Sequence, residues 1–388
     1  MTNEFYKLEE LFIGDIPILS RQLKSLSLYL DIDKLGIQLD CVFNDQLDLK
    51  NTVPIKGGET LTLCITDRWE KKFRKTFILT SFDVLTVNSP RDVDVNMKAI
   101  TTVGFDAMTQ RIATSYDNRT PSDIVTELIP TAEVSKTSNL IQLVSPGWTK
   151  TKLIEHLTRI SNSEKYGPMF LCWEDFDGVK FKSLNEVYKT QKTVNSYLTN
   201  NRNPYYRYNI LEHKEISTGN FAKSSNQQQF QRTYASYDPD SKQLITQTTK
   251  LADAGDSFNR LGKGQNFSNT ALGMQSDRPI LIGHLDESTM KAKYENELRW
   301  AEYDNRMHIL TNGDFTQNPG TLINIDENDR YEKTEYSVSV GGLWVIEKVA
   351  CHFDGHQFMQ KIQLTRNASY NYDSKNSTII NPAISSNL

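Results

Sequence analysis

Residues 343–365 read LWVIEKVACHFDGHQFMQKIQLT. Two apolar-rich arms flank Phe353-Asp354-Gly355-His356, and a central Asp-Gly favours a two-residue hairpin because both central positions must tolerate positive φ. That turn predicts Cys351 opposite Phe358, Val349 opposite Gln360, Glu347 opposite Ile362 and Val345 opposite Leu364, so the mainly apolar residues of both arms share one face. A long ribbon with one dry face does not stand alone in water. The rest of the chain must cover it with strands or a helix.

Upstream, residues 1–117 read as strands with turn punctuation. Leu26, Leu28, Leu30 and Ile32 alternate with mostly polar neighbours, and further apolar runs follow at Ile37–Phe43, Leu61–Ile65, Phe77–Val87 and Val93–Val103. Short strands at this spacing predict a first β-barrel domain. The pattern changes over 118–204, which reads as a small α+β domain. Thr120-Pro121-Ser122-Asp123 supplies an N-cap and a proline at the first helical position, Leu153, Ile154, Leu157 and Ile160 fall at helical spacing, and Asp177-Gly178 joins two strands. Residues 205–236 and 305–370 return to strand-like sequence and are assigned to a second β-barrel domain. The polar segment 237–304 is read as an insertion with a helix over 286–304, where Met290, Tyr294, Leu298 and Ala301 form an apolar stripe. Residues 371–388 form a polar C-terminal tail. The expected class is β-rich α+β: two similar β-barrel domains, a small α+β domain and an inserted helix-containing segment.

The 388 residues are 38% hydrophobic and 24% charged, as in an ordinary folded protein. A net charge of −4 lacks the basic footprint of a dedicated nucleic-acid binder. No apolar run approaches a membrane span, and the N-terminus has no signal-peptide pattern. Cys41, Cys64, Cys172 and Cys351 lie far apart in apolar runs and read as small core residues rather than disulfide or zinc partners.

Enzyme signatures are weak. Gly262-Lys263-Gly264 has six residues between it and Gly255, and Gly264 stands where a phosphate loop needs a hydroxyl. His352 and His356 are spaced as a helical metal pair, but a hairpin tip does not place them on one face. Glu174, Asp175 and Asp177 form a carboxylate cluster that a glycosidase pair would resemble, although acidic residues also serve turns. No nucleophile elbow is present. Catalytic, cofactor and metal residues are therefore expected to be absent, and Trp344, Tyr370 and Tyr372 are the aromatics picked as partner-interface residues.

Two comparisons carry the functional expectation. Gly58-Glu59-Thr60-Leu61-Thr62-Leu63-Cys64-Ile65 is similar to Pro319-Gly320-Thr321-Leu322-Ile323-Asn324-Ile325, as if one barrel occurred twice. In addition, Gly262-Lys263-Gly264-Gln265-Asn266, Glu297-Leu298-Arg299 leading into Thr311-Asn312-Gly313-Asp314-Phe315, Pro319-Gly320, Lys333-Thr334-Glu335-Tyr336 and Thr365-Arg366-Asn367-Ala368 follow one another in an order that resembles the baseplate hub proteins of T-even-type contractile-tailed phages, relatives of the hubs of contractile injection systems. Phe170-Leu171-Cys172-Trp173-Glu174-Asp175 with Gly178-Val179 fits that family's middle domain. The resemblance implies a structural virion protein of the tail baseplate, assembled in the host cytoplasm. It also implies a homotrimer whose paired barrels form a pseudo-sixfold ring, with a hexameric tail tube, a trimeric spike that often carries a lysozyme and the surrounding wedge proteins as partners. DNA would pass through without specific binding, and no cofactor or membrane insertion is implied. A tail-tip glycan hydrolase and a receptor-binding protein are the alternatives.

Overall fold

The alternating sequence becomes strand in the computed structural model, which describes residues 5–46, 48–53, 55–89, 92–191, 193–199, 206–218, 231–238, 241–250, 280–281, 287–303, 305–326, 340–355, 357–366, 371–373 and 378–380. The N-terminal part contains β1 (Tyr6–Ile13), β2 (Ile16–Pro17), β3 (Leu23–Asp31), β4 (Gln38–Asn44), α1 (Leu49–Thr52), β5 (Thr60–Asp67), β6 (Lys72–Ser89) and β7 (Asp92–Thr101). The middle part contains α2 (Thr102–Thr109), β8 (Arg111–Arg119), α3 (Pro121–Leu128), β9 (Glu133–Val134), β10 (Ile141–Thr149), α4 (Lys150–Ile160), β11 (Phe170–Glu174), β12 (Val179–Ser183) and α5 (Leu184–Thr190). There follow β13 (Asn195–Thr199), β14 (Asn209–Thr218), β15 (Gln231–Asp238), β16 (Gln243–Lys250), β17 (Ile280–Leu281) and α6 (Glu287–Glu302). The chain ends with β18 (Asn305–Asn312), β19 (Leu322–Asp326), β20 (Gly342–Asp354), β21 (Gln357–Arg366), β22 (Asn371–Asp373) and β23 (Thr378–Ile380).

One 13-stranded sheet runs in the order β19-β13-β14-β18-β21-β20-β3-β4-β7-β6-β5-β1-β2. Because β19 also pairs with β20, its first six strands close into a barrel and lose their free edges. The same β20 pairs on its other side with β3, from Lys348↔Asp31 to Phe353↔Leu26, and so carries the sheet into a second six-stranded array, β3-β4-β7-β6-β5-β1. Among the described residues no ladder returns β1 to β3 or β20. Side chains make that approach: the Tyr6 ring stands edge-on to Phe353 at 5.0 Å, and its hydroxyl donates to the Gly355 carbonyl at 3.1 Å. Leu26, Leu28 and Leu30 of β3 pack with Val349, Cys351 and Phe353 of β20 in one continuous core. The fold is thus β-rich α+β, organised on the hairpin as its alternation predicts.

The hairpin turns one residue later than expected. Phe353 pairs with Phe358, Cys351 with Gln360 and Val349 with Ile362, a slide of two positions from the predicted register. A slide of two preserves the face on which each side chain points, so the dry face survives. Beyond it the register shifts between Ile346 and Lys348, so that Glu347, expected opposite Ile362, is the extra residue of a bulge.

Boundaries differ from the sequence reading for a shared reason: alternation identifies a strand without saying which sheet it joins. The sequence bounds the first barrel at residue 117, but β8 pairs with β10 in the middle domain, so the first array ends at Thr101. β13 leaves the α+β segment to join the barrel, while β15 pairs with β16 and β17 instead. The helices at α3 and α4 form as expected, with Thr120 Oγ1 accepting the Asp123 amide at 3.2 Å. The inserted helix is α6, and Met290 and Tyr294 of its stripe are buried.

Helix α6 docks through Asn296. Its Oδ1 accepts the amides of Met169 (2.7 Å) and Phe170 (3.0 Å), and its Nδ2 donates to the carbonyls of Arg159 (3.1 Å) and Ser161 (2.9 Å). The same packing half-buries His156 of α4, and desolvation, then Lys293 and Arg159, depress its pKa to about 4. A base that stays neutral in the fold but protonates readily when unfolded weakens the fold as pH falls below about 6.5. Between pH 6.5 and 4, urea unfolding of the native chain should lose roughly 2–3 kcal/mol that a His156→Gln variant does not lose.

Candidate functional site

The tip of the β11–β12 hairpin is built by Asp175, whose Oδ1 accepts the amides of Asp177 (2.8 Å) and Gly178 (2.9 Å). Burial raises the Asp175 carboxyl above its usual range. This tip inserts Phe176 between the two six-stranded arrays. Phe176 meets Phe73 of β6 at 5.2 Å and Phe315 at 5.1 Å, and Phe315 in turn stacks on Phe73 at 5.3 Å and lies 5.1 Å from Phe358 of β21. All four rings are buried. Gly313 permits this packing, because a Cβ there would lie 2.1 Å from the Phe358 ring.

Polar bonds fasten the same seam. Asp67 at the end of β5 accepts the amides of Trp69 and Lys71, each at 2.8 Å, and that of Phe315 at 3.0 Å. Burial pushes its carboxyl up, with Asp314 adding to the effect. Asn318 Oδ1 accepts the Phe176 amide at 3.2 Å, and its Nδ2 donates to Asp177 at 2.8 Å. The first array, the middle domain and the barrel are therefore clasped at one point.

The carboxylate cluster named from sequence belongs to this clasp. Glu174 is buried against Lys75 Nζ at 2.9 Å and accepts the Thr101 hydroxyl, while Asp177 pairs with Lys71 at 3.0 Å. Each acid is engaged by donors of its own chain. Trp344 is corrected as an interface residue: at 2% exposure it lies in the core, its Nε1 donating to the Val340 carbonyl at 2.8 Å under the Arg366 guanidinium, 3.9 Å from the ring. Tyr370, His356, Gly262-Lys263-Gly264 and Lys333-Thr334-Glu335-Tyr336 lie outside the described residues. Tyr372 pairs with Ile379 across the β22–β23 ladder. His352 Nδ1 lies 2.7 Å from the Ser27 hydroxyl. Among the described residues no group of three or more His, Cys, Asp and Glu side chains could hold a metal ion, and no helix is long and apolar enough to cross a membrane. The four cysteines are buried and free.

A different aromatic group does reach the surface. The Arg207 guanidinium lies over Trp69 at 5.2 Å and over Tyr208 at 5.6 Å, and Arg68 covers Phe5 at 5.1 Å and Trp69 at 5.8 Å. Arg207 is held by two bonds to the fully buried Asp314, at 2.5 and 3.0 Å. This bidentate pair raises the guanidinium pKa further. The ladder of alternating arginine and aromatic side chains joins the β5–β6 turn to the loop before β14. Its signal was present in Arg68-Trp69 and Tyr206-Arg207-Tyr208, but the partners stand far apart in sequence.

No protein-family model and no curated protein matches the sequence. Solved structures do match the fold. The tail protein from Neisseria meningitidis MC58 superposes with a TM-score of 0.60 over 93% of this chain and 97% of its own, at 12% identity. This chain shares that tail protein's fold. The 43 kDa tail protein of prophage MuSo2 from Shewanella oneidensis gives a TM-score of 0.53 over 93% of this chain and 98% of its own, also at 12% identity. At such identity the likeness is one of fold alone.

Proposed function

We propose that the chain is the structural hub of a contractile tail, three copies forming a ring that joins a hexameric tail tube to a trimeric cell-puncturing spike. The observation that carries this reading is the presence of two six-stranded arrays in a single sheet. Three such chains present six arrays, so a threefold assembly acquires an approximately sixfold face. A fold shared with tail proteins along nearly the whole chain supports the setting. The rigid seam suits the role, since an adaptor transmits load only if its two arrays keep one relative position.

In this reading the chain acts through interfaces rather than catalysis, within the tail baseplate of a virion, beside wedge proteins and around a DNA channel. The Arg68–Trp69–Arg207–Tyr208 ladder is the surface assigned to a ring-face partner, because Trp, Tyr and Arg dominate interface hot spots. Light scattering of the purified chain with its spike partner should give a hub mass three times the 44.5 kDa protomer. The chain alone should leave peptidoglycan intact. A hub that stays monomeric in the presence of the spike, or glycan cleavage lost in Glu174→Gln, contradicts the proposal.

A further inference from the structure

The overall charge conceals a cationic face. Across β3, β20, β21, β18 and β14, cross-strand partners line up as Asp31, Lys348, Gln363, His308 and Lys214. The adjacent row runs Tyr29, Ala350, Lys361, Leu310 and Glu212. Directly opposed side chains of neighbouring strands share a face, so these rows lie side by side on the sheet surface. Ala350 leaves a notch between Tyr29 and Lys361, and Lys34 enters from the β3–β4 loop. The resulting open groove of about 380 Å³ is lined by Tyr29, Lys34, Lys348, Lys361 and His308.

The groove's charge is unbalanced. Asp31 is its one carboxylate, shared by Lys348 at 3.1 Å and Lys34 at 3.9 Å. Lys361 and Lys214 form no ion pair among the described residues, and Glu212 is the one acid of the second row. Beside these cations Tyr29 is 41% exposed, a large uncovered aromatic on a sheet face. Lysines spread over strands about 4.8 Å apart, with an aromatic platform at one end, suit an extended ligand with repeated anionic groups and flat rings.

We propose that this groove binds the backbone of a single nucleic-acid strand, sequence-independently, with phosphates on Lys348, Lys361 and Lys34 and a base against Tyr29. The ring-bearing partner favours nucleic acid over an acidic protein segment, since the lysines alone would accept either. The site lies within one chain and does not require the ring.

The test is fluorescence anisotropy of a short fluorescein-labelled oligothymidylate with the full chain. Three phosphate contacts predict a slope of log affinity against log salt of about −2, so binding should weaken roughly 15-fold from 50 to 200 mM salt. Lys348→Glu with Lys361→Glu should lower affinity at least about tenfold and flatten that slope. Lys34→Glu, on a loop, should act in the same direction and guards against misfolding of the double variant. Tyr29→Ser should weaken binding about tenfold while leaving the slope unchanged, because stacking releases no counterions. No binding at low salt overturns the proposal. Polyglutamate competing as well as the oligonucleotide also overturns it and gives the groove to an acidic protein segment. Ring formation, read separately by light scattering, is indifferent to these substitutions, so its absence counts against the hub proposal alone.

Discussion

Phe315→Ala should destabilise the protein by about 3–5 kcal/mol, the largest effect expected of a single truncation. Phe315 is fully buried and touches rings from the first array, the middle-domain hairpin and the β20–β21 hairpin: Phe73, Phe176, Phe353 and Phe358. Neighbours drawn from three parts of the chain cannot all collapse into the space left behind, so the cavity cost stays high. Phe315→Leu keeps most of the volume and should cost less than half as much. Urea unfolding followed by tryptophan fluorescence checks both. Hydrogen exchange adds a spatial test: amides of β5, β6 and the β11–β12 tip should lose protection together with those of β21. Loss confined to the barrel would show that the seam does not couple the two arrays.

Arg207→Ala carries the second large effect, about 3 kcal/mol. The cost arises less from the lost attraction than from what remains, a carboxylate at Asp314 with 0% exposure and no guanidinium. Arg207→Lys keeps a positive charge but not the two parallel bonds and should fall between native and alanine variants. Arg207→Ala combined with Asp314→Asn should recover part of the loss, since the buried charge is gone. The Thr316 amide and hydroxyl also bond Asp314, at 2.8 and 2.6 Å, which limits that recovery. The measurement is the urea midpoint of these proteins together with Asp314→Asn alone, which closes the double-mutant cycle. Strict additivity would mean that the pair is not coupled. Because Arg207 also supports Trp69 and Tyr208, the alanine variant should weaken spike or tube binding beyond its loss of stability.

Much of the fold was legible because strand periodicity survives wherever one face is dry. The 343–365 hairpin, the α3 and α4 helices and the buried cysteines follow from local pattern. The turn position was missed because Asp-Gly propensity competes with the pairing of Phe353 and Phe358, whose rings stack at 4.2 Å and set the register by two positions. Strand allegiance was not readable either. β8 and β13 carry no local mark of the sheet they join, and only the tertiary structure shows which sheet holds them. The site fared worse. Trp344 stood out as a large aromatic at a strand start, yet its place opposite Ile323 of β19 sends it into the core. The Arg207 ladder and the Lys348–Lys361 groove combine residues well over a hundred positions apart, a juxtaposition that net charge and local motifs do not contain.

The central claim concerns symmetry, and electron-microscope class averaging of the purified chain, alone and with its spike partner, tests it most directly. The account predicts threefold rings with six similar lobes around an open channel, two lobes for each chain. Compact single-chain particles under both conditions, with the spike unbound, would contradict it.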